Sequence, residues 1–234
     1  DTTAKAQALI MSGVVFHGEQ RLSAAGDKVT DDIDITVRRR EHPWVSRGGL
    51  KLAHGLEYFK FDPRGRVCVD VGCSTGGFTD VLLAHDAAKV YAVDVGYGQL
   101  AEKLRKDARV VVMERTNARH LTREMIAEPL NAIVCDASFI GLRTVLPASM
   151  ALAGDGAFMI ALIKPQFEAR KDQIGPKGVV RNEAVHAEVC DTVRAWLSAQ
   201  AGWTVAGITP SPITGPEGNV EFLIGATFAA PVSI

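Results

Sequence analysis

Residues 67–78, Val-Cys-Val-Asp-Val-Gly-Cys-Ser-Thr-Gly-Gly-Phe, constrain the fold of this chain more than any other stretch. An apolar run interrupted by Asp70 leads into a glycine-rich turn, after which Phe78, Val81 and Leu82 recur at helical spacing. The pattern predicts a buried strand, a tight turn and a helix. A side chain at Gly72, Gly76 or Gly77 would fill the turn or forbid its dihedrals, so the backbone there can approach a ligand closely. A cofactor cradle is one reading and a purely structural turn the other. The dinucleotide pattern G-x-G-x-x-G fits poorly, because Ser74 stands at its middle glycine. Asp70 at the strand end would repel a phosphate and accept hydrogen bonds from an ammonium. Both departures favour a cationic, phosphate-free ligand such as S-adenosylmethionine over NAD.

Beyond this stretch, strand and helix signals alternate. Residues 89–94, 109–113, 131–136 and 157–163 read as strands with helices between them, and a helix over 181–199 precedes strands near 203–209 and 220–227. Continuously apolar strands imply a sheet covered on both faces. The predicted fold is α/β, a doubly wound, mostly parallel seven-stranded sheet of Rossmann-like type. At 234 residues, 47% hydrophobic and 23% charged, the chain can bury one good core and carry a small appendage. The longest apolar run beside a strand, 157–163, is far short of the ~20 residues of a membrane span. No charged-then-apolar leader follows Asp1, and Cys68, Cys73, Cys135 and Cys190 form no C-x-x-C pair. These features predict a cytoplasmic protein with reduced core thiols and no metal.

The appendage is the N-terminal part. A helix over 4–12, a strand over 14–16, a corner at Lys28-Val29 and an alternating strand over 33–37 predict a fragment of a small α/β module, residues 1–37. A charged linker containing Pro43 covers 38–45, and 46–234 forms the main domain. Residues 36–66 carry eight basic side chains against three acidic ones. Arg38, Arg39, Arg40 and Arg47 are therefore candidates to meet RNA phosphates, a solvated basic face being the plainer reading.

Ligands of open α/β sheets sit beyond the carboxyl ends of the strands. Asp94 ends the second main-domain strand and can accept from both hydroxyls of a ribose, or else cap a helix. Asp136 and Lys164 end the fourth and fifth, as chemistry or as a structural ion pair. His42, His54, His85, His120 and His186 are scattered and read as surface residues.

Six motifs then stand in order: Ser46-Arg47-Gly48-Gly49-x-Lys51-Leu52, Asp70-Val71-Gly72-x-Ser74-Thr75-Gly76-Gly77-Phe78, Asp94-Val95-Gly96-Tyr97-Gly98-Gln99-Leu100, Glu114-Arg115-Thr116-Asn117, Lys164-Pro165-Gln166-Phe167-Glu168 and Gly218-Asn219-x-Glu221-Phe222. Together they resemble the hemolysin A (TlyA) family, an RNA-binding domain joined to an FtsJ-like ribose 2′-O-methyltransferase domain of the class I methyltransferase fold. The resemblance covers nearly the whole chain. It departs at the N-terminus, where the first helix of the RNA-binding module would precede Asp1.

The resemblance implies S-adenosylmethionine as cofactor and ribosomal RNA or ribosomal subunits as partner, with 2′-O-methylation of a ribose, a cytidine by resemblance, as the reaction. It implies a catalytic tetrad of Lys51, Asp136, Lys164 and Glu221. Asp70, Gly72, Ser74, Thr75, Gly76, Gly77 and Phe78 would then surround the methionine end of the cofactor, Asp94 its ribose, and Glu114 and Asn117 its adenine. The tetrad suits the chemistry, because a ribose hydroxyl must lose its proton as it attacks the methyl group. The alternatives are a membrane-active hemolysin, against which the lack of a span speaks, and an RNA-binding protein of the same fold without catalysis.

Overall fold

The computed structural model describes residues 6, 10, 15–18, 20–22, 33–37 and 42–230. The expected helix over 4–12 falls largely outside them. The corner at Lys28-Val29 and the candidate RNA contacts Arg38, Arg39 and Arg40 lie outside the described residues altogether. The chain divides into two compact units, Asp1–Pro43 and Trp44–Ile234.

In the first unit, β1 (Val15–His17), β2 (Gln20–Arg21) and β3 (Ile35–Val37) form an antiparallel sheet in the order β2-β1-β3. Gly18 supplies the positive φ of +57° that the turn after β1 requires.

The second unit begins with Trp44 and Val45, which the sequence reading assigned to the linker. Val45 N–H donates to Asp80 Oδ2 at 2.8 Å. A Cβ on Gly49 would run into the Trp44 ring, so the glycine is what lets the indole lie there. Helix α1 (Gly48–Phe59) follows.

Strand and helix then alternate: β4 (Val67–Val71), α2 (Gly77–Ala84), β5 (Lys89–Val93), α3 (Glu102–Arg105), β6 (Val110–Met113) and β7 (Leu130–Cys135). The short helices α4 (Leu142–Val145) and α5 (Pro147–Met150) lead to β8 (Ala153–Ile163) and α6 (Pro165–Glu168). The long helix α7 (Glu183–Ser198) precedes β9 (Trp203–Pro210) and β10 (Phe222–Phe228). The seven strands lie in the order β6-β5-β4-β7-β8-β10-β9. The first five are parallel, while β10 runs antiparallel to both β8 and β9. This is the doubly wound α/β sheet expected from the sequence.

β8 starts four residues earlier than the apolar run suggested. Its first residue, Ala153, pairs with Leu130 before the register shifts between Leu130 and Ala132.

Two cores sandwich the sheet. On one face Val69, Val71, Ile133, Met159 and Ile163 meet Val189, Val193 and Leu197 of α7. On the other, Cys68, Val90, Val134, Ile160 and Leu223 meet Leu52 and Leu56 of α1 and Val81 and Leu82 of α2. His186, expected at the surface, is buried on α7 with its Nε2 2.8 Å from the Val180 carbonyl. It lies four residues before buried Cys190 on the inner face of that helix, a spacing visible in the sequence. All four cysteines are buried and free. Burial pushes the thiols of Cys68 and Cys135 up to about 12, so they act as packing groups. Among the described residues no helix is long and apolar enough to cross a membrane.

Candidate active site

Strand periodicity assembles the site. Successive side chains of a strand point to opposite faces. Val69, Cys135 and Ile163 lie in the α7-side core, whereas Cys68, Val134, Leu162 and Leu223 lie in the α1-side core. Continuing that alternation puts Asp70 on β4, Asp136 just after β7, Lys164 just after β8 and Glu221 just before β10 on the α1 side. These four strands are neighbours in the sheet, so the residues converge at one end of it. Lys51 joins them from α1, one residue before fully buried Leu52.

The predicted tetrad is thus brought together. Lys51 Nζ lies 2.5 Å from Glu221 Oε2 and 3.9 Å from Asp136 Oδ2. Lys164 Nζ lies 2.6 Å from Asp136 Oδ1 and donates to Ser138 Oγ at 2.9 Å. Glu221 is 1% exposed, Lys164 6% and Lys51 7%. Pairing is what makes such burial of charge tolerable.

The turn after β4 lies beside this cluster. Gly72, at φ +79°, packs its bare Cα against Ala137, where a Cβ would come within 2.9 Å of the Ala137 Cα. Ser74 takes a left-handed φ of +46°, and its N–H donates to Asp94 Oδ2 at 2.8 Å. Asp94 Oδ1 accepts from Gly96 N–H at 2.7 Å, so one carboxylate ties the first turn to the loop after β5. Gly76 works differently from the expectation. A Cβ there would strike Leu104 and Leu100 rather than enter the ligand space, so this glycine, at φ +94°, serves the packing of the α2 N-terminus.

Asp70 is fully buried. Its Oδ2 accepts from the backbone N–H and the hydroxyl of Thr79, at 2.9 and 2.7 Å. Its Oδ1 has no hydrogen-bond partner. Burial pushes this carboxyl up to about 7, with Asp136 and Asp94 acting in the same direction and the Thr79 bonds against it.

Two cavities meet over these residues. One of about 320 Å³ is lined by the tetrad, Asp70, Arg47, Thr75, Gly77, Phe78 and the loop at Ile213–Gly215. The other, of about 770 Å³, is lined by Asp94, Gly96, Thr116, Asn117, Phe139 and Ile140 among others. Gly72, Ser74, Asp136 and Ser138 line both. The larger volume is that of a typical small-molecule site. A further cavity of about 720 Å³ beside α7, lined by Val180, His186, Cys190 and Phe222, contains no predicted site residue.

Glu114 does not line the larger cavity. Its Oε1 accepts from Arg105 Nη2 at 2.6 Å and from Gly98 N–H at 2.8 Å, and the Arg105 guanidinium holds its carboxyl below the usual range. It braces the loop rather than facing a ligand. Sequence reasoning missed Ser138, Thr116, Phe139 and Ile140, all in loops beyond strand ends. Phe139, 89% exposed at a φ of +64°, is the most conspicuous, with its ring centroid 5.2 Å from that of Phe167. An aromatic three residues after a strand-end acid was the available signal.

The residues present suit S-adenosylmethionine. A buried carboxylate oxygen without a partner awaits a cation, and the strand-end acid Asp94 borders the roomier cavity. Among the described residues no group of three or more His, Cys, Asp or Glu could hold a metal ion.

Comparison with known proteins agrees. Residues 44–228 match the FtsJ-like methyltransferase family. The 16S/23S rRNA (cytidine-2′-O)-methyltransferase TlyA of Mycobacterium tuberculosis is 50% identical over 84% of this chain and 73% of its own length. Hemolysin A of Brachyspira hyodysenteriae is 36% identical over 95% of this chain and 92% of its own. A solved structure from Streptococcus thermophilus, provisionally described as a hemolysin, superposes with a TM-score of 0.79 at 39% identity, covering 97% of this chain and 83% of its own. The chain therefore belongs to the FtsJ-like methyltransferase family, enzymes that take their methyl group from S-adenosylmethionine.

Proposed function

We propose that this methyltransferase acts on the 2′-hydroxyl of a cytidine ribose in ribosomal RNA. The observation that carries the reading is the Lys164–Asp136 pair, placed where the two cavities meet. The relative from M. tuberculosis bears that reaction in its name. Bound S-adenosylmethionine would supply an electrophilic methyl group on a sulfonium. Asp70 Oδ1 would accept from its ammonium, Asp94 from its ribose hydroxyls, and Asn117 would border its adenine.

The target ribose would enter the smaller cavity. Lys164 receives the proton of the 2′-hydroxyl, and Asp136 holds the amine in place. Lys51, fixed by Glu221, steadies developing negative charge or the substrate phosphate. Arg47, exposed and lining the smaller cavity, would meet the RNA backbone, and Arg38, Arg39 and Arg40 would extend that role in sequence. The first unit, with the linker after it, is read as the RNA-binding module of the pair, and the cytoplasm as the place of work.

The test is methyl transfer from labelled cofactor to each ribosomal subunit, with the modified atom mapped. Lys164→Ala should lower the rate by about 100-fold or more while cofactor affinity stays within a few-fold. Arginine should not rescue, since a guanidinium stays protonated. Methyl found on a base rather than a ribose would overturn the reading. Near wild-type turnover by Lys164→Arg would remove Lys164 as the proton acceptor.

A further inference from the structure

Lys164 is nearly buried, and its amine has three acceptors around it. These are Asp136 Oδ1 at 2.6 Å, Ser138 Oγ at 2.9 Å and the Asp136 carbonyl at 3.3 Å. Ser138 Oγ and the Asp136 carbonyl accept hydrogen bonds from the amine, while Asp136 Oδ1 faces it as an ion pair without a hydrogen bond. The carboxylate and the carbonyl can only accept, whereas the serine hydroxyl can also donate. Ser138 is exposed, and it lines both cavities. The hydroxyl is therefore the more exposed partner of an amine whose side chain is only 7% exposed.

We propose that Ser138 relays the proton of the ribose 2′-hydroxyl to Lys164, an inference that rests on the ribose-methylation reading above. A neutral amine keeps its N–H bonds toward the two oxygens of Asp136, which can only accept. Its lone pair then faces the third partner, and Ser138 turns its O–H onto it. The lone pairs of Ser138 Oγ are left for the ribose hydroxyl.

The step balances. The ribose oxygen bonds to the methyl carbon as the carbon–sulfur bond breaks, with its electron pair remaining on sulfur. The ribose proton passes to Ser138 Oγ, and the proton of Ser138 passes to Lys164 Nζ. A methyl ether, a neutral thioether and a lysine ammonium result, so the single positive charge moves from sulfur to Lys164.

The backbone holds this alignment in place. Phe139, directly after Ser138, is held at φ +64°, a conformation that a non-glycine residue keeps only when its surroundings enforce it. Its ring packs on Phe167, three residues after Lys164. Glu168 Oε1 accepts from Leu142 N–H at 2.6 Å, a second tie between the Ser138 loop and the Lys164 segment. Both ties keep hydroxyl and amine within hydrogen-bond range.

The experiment compares wild type, Ser138→Ala, Ser138→Thr and Lys164→Ala in methyl transfer to ribosomal subunits, with cofactor affinity measured by calorimetry. Ser138→Ala should lower kcat by roughly 100-fold, the scale on which catalytic alignment matters, with KM and cofactor affinity within about twofold of wild type. Threonine keeps the hydroxyl and should restore kcat to within a few-fold. In mixtures of light and heavy water the wild-type rate should vary with the curvature of two protons in flight. Wild-type kcat in Ser138→Ala, a one-proton dependence in the wild type, or a defect confined to KM or cofactor affinity would overturn the relay. No ribose methylation by the wild type overturns the underlying reading and the relay with it. An inactive Lys164→Ala beside a fully active Ser138→Ala overturns the relay alone.

Discussion

Glu221 and Asp70 are both buried carboxylates, on the same face and at the same end of one sheet, yet the chain treats them in opposite ways. Glu221 has the Lys51 ammonium 2.5 Å from one oxygen. Asp70 receives only the amide and hydroxyl of Thr79 and has no cation; each residue leaves one oxygen, Asp70 Oδ1 and Glu221 Oε1, without a hydrogen-bond partner. Taking a carboxylate out of water is costly unless a cation or several donors meet it. At Glu221 the fold supplies the cation, and the result is a fixed wall of the transfer cavity. At Asp70 the fold supplies no cation, and on the proposed function the ammonium of the cofactor would complete the position. On the proposed function, the contrast separates a part of the site that exists before ligand binding from a part that binding would complete.

The largest test of this contrast is to make Glu221 resemble Asp70. Lys51→Ala leaves Glu221 buried without a cation and should cost about 3–5 kcal/mol of stability, the penalty for breaking a buried pair from one side. A fall in the urea midpoint at unchanged m would report it. Lys164→Ala is the control, because its partner Asp136 has a 21% exposed side chain that water can reach. Equal losses in the two variants would show that Glu221 is no more dependent on its cation than Asp136.

A smaller effect belongs to the Asp70 side. Gly76 sets the start of the helix that carries Thr79 to Asp70, and a Cβ there points at Leu100 and Leu104. Gly76→Ala should therefore destabilise by about 1–3 kcal/mol through overpacking and the unfavourable φ. Cofactor affinity should fall with it. A variant that keeps wild-type thermal stability while losing cofactor binding would return Gly76 to the ligand side of the turn.

How much of this was legible in the sequence depended on periodicity. Asp70, Asp136, Lys164 and Glu221 stand beside apolar strands, and a period of two is enough to place them on one face once the strand order is known. Lys51 was legible by motif, because nothing local says which strand ends a helix will cross. Glu114 was misplaced because its partner Arg105 lies on a four-residue helix whose packing has no periodic signature. Gly76 was read as lining the ligand because a glycine reveals freedom of the backbone but not the direction in which its missing side chain would point. Ser138, Thr116 and Ile140 lie in loops, where position is set by long-range ties such as Glu168 to Leu142 rather than by any local pattern. The same holds for Phe139, whose left-handed backbone is enforced by its surroundings rather than by residue type.

The subtlest expected effect is a pH dependence that Asp70 should confer. Burial raises the Asp70 carboxyl from 3.8 to about 7. In the free protein Asp70 therefore holds its proton between about pH 4 and pH 7, where the unfolded chain has already released it. The native state binds more protons across that window, so this group's contribution to stability falls as pH rises through it. A bound ammonium reverses the preference, since it favours the ionised carboxylate, and binding must then release a proton near neutrality. If only the ionised form accepts the cofactor, the competent fraction grows from about a tenth at pH 6 to about nine-tenths at pH 8. The dissociation constant for S-adenosylmethionine should tighten by about tenfold over the same range. Calorimetry in buffers of different ionisation enthalpy should register the released proton at pH 7. Asp70→Asn should bind more weakly at pH 8 and lose most of the pH dependence. An equally steep profile in Asp70→Asn would place the titrating group elsewhere and leave the unpartnered oxygen of Asp70 without a role in holding the cofactor.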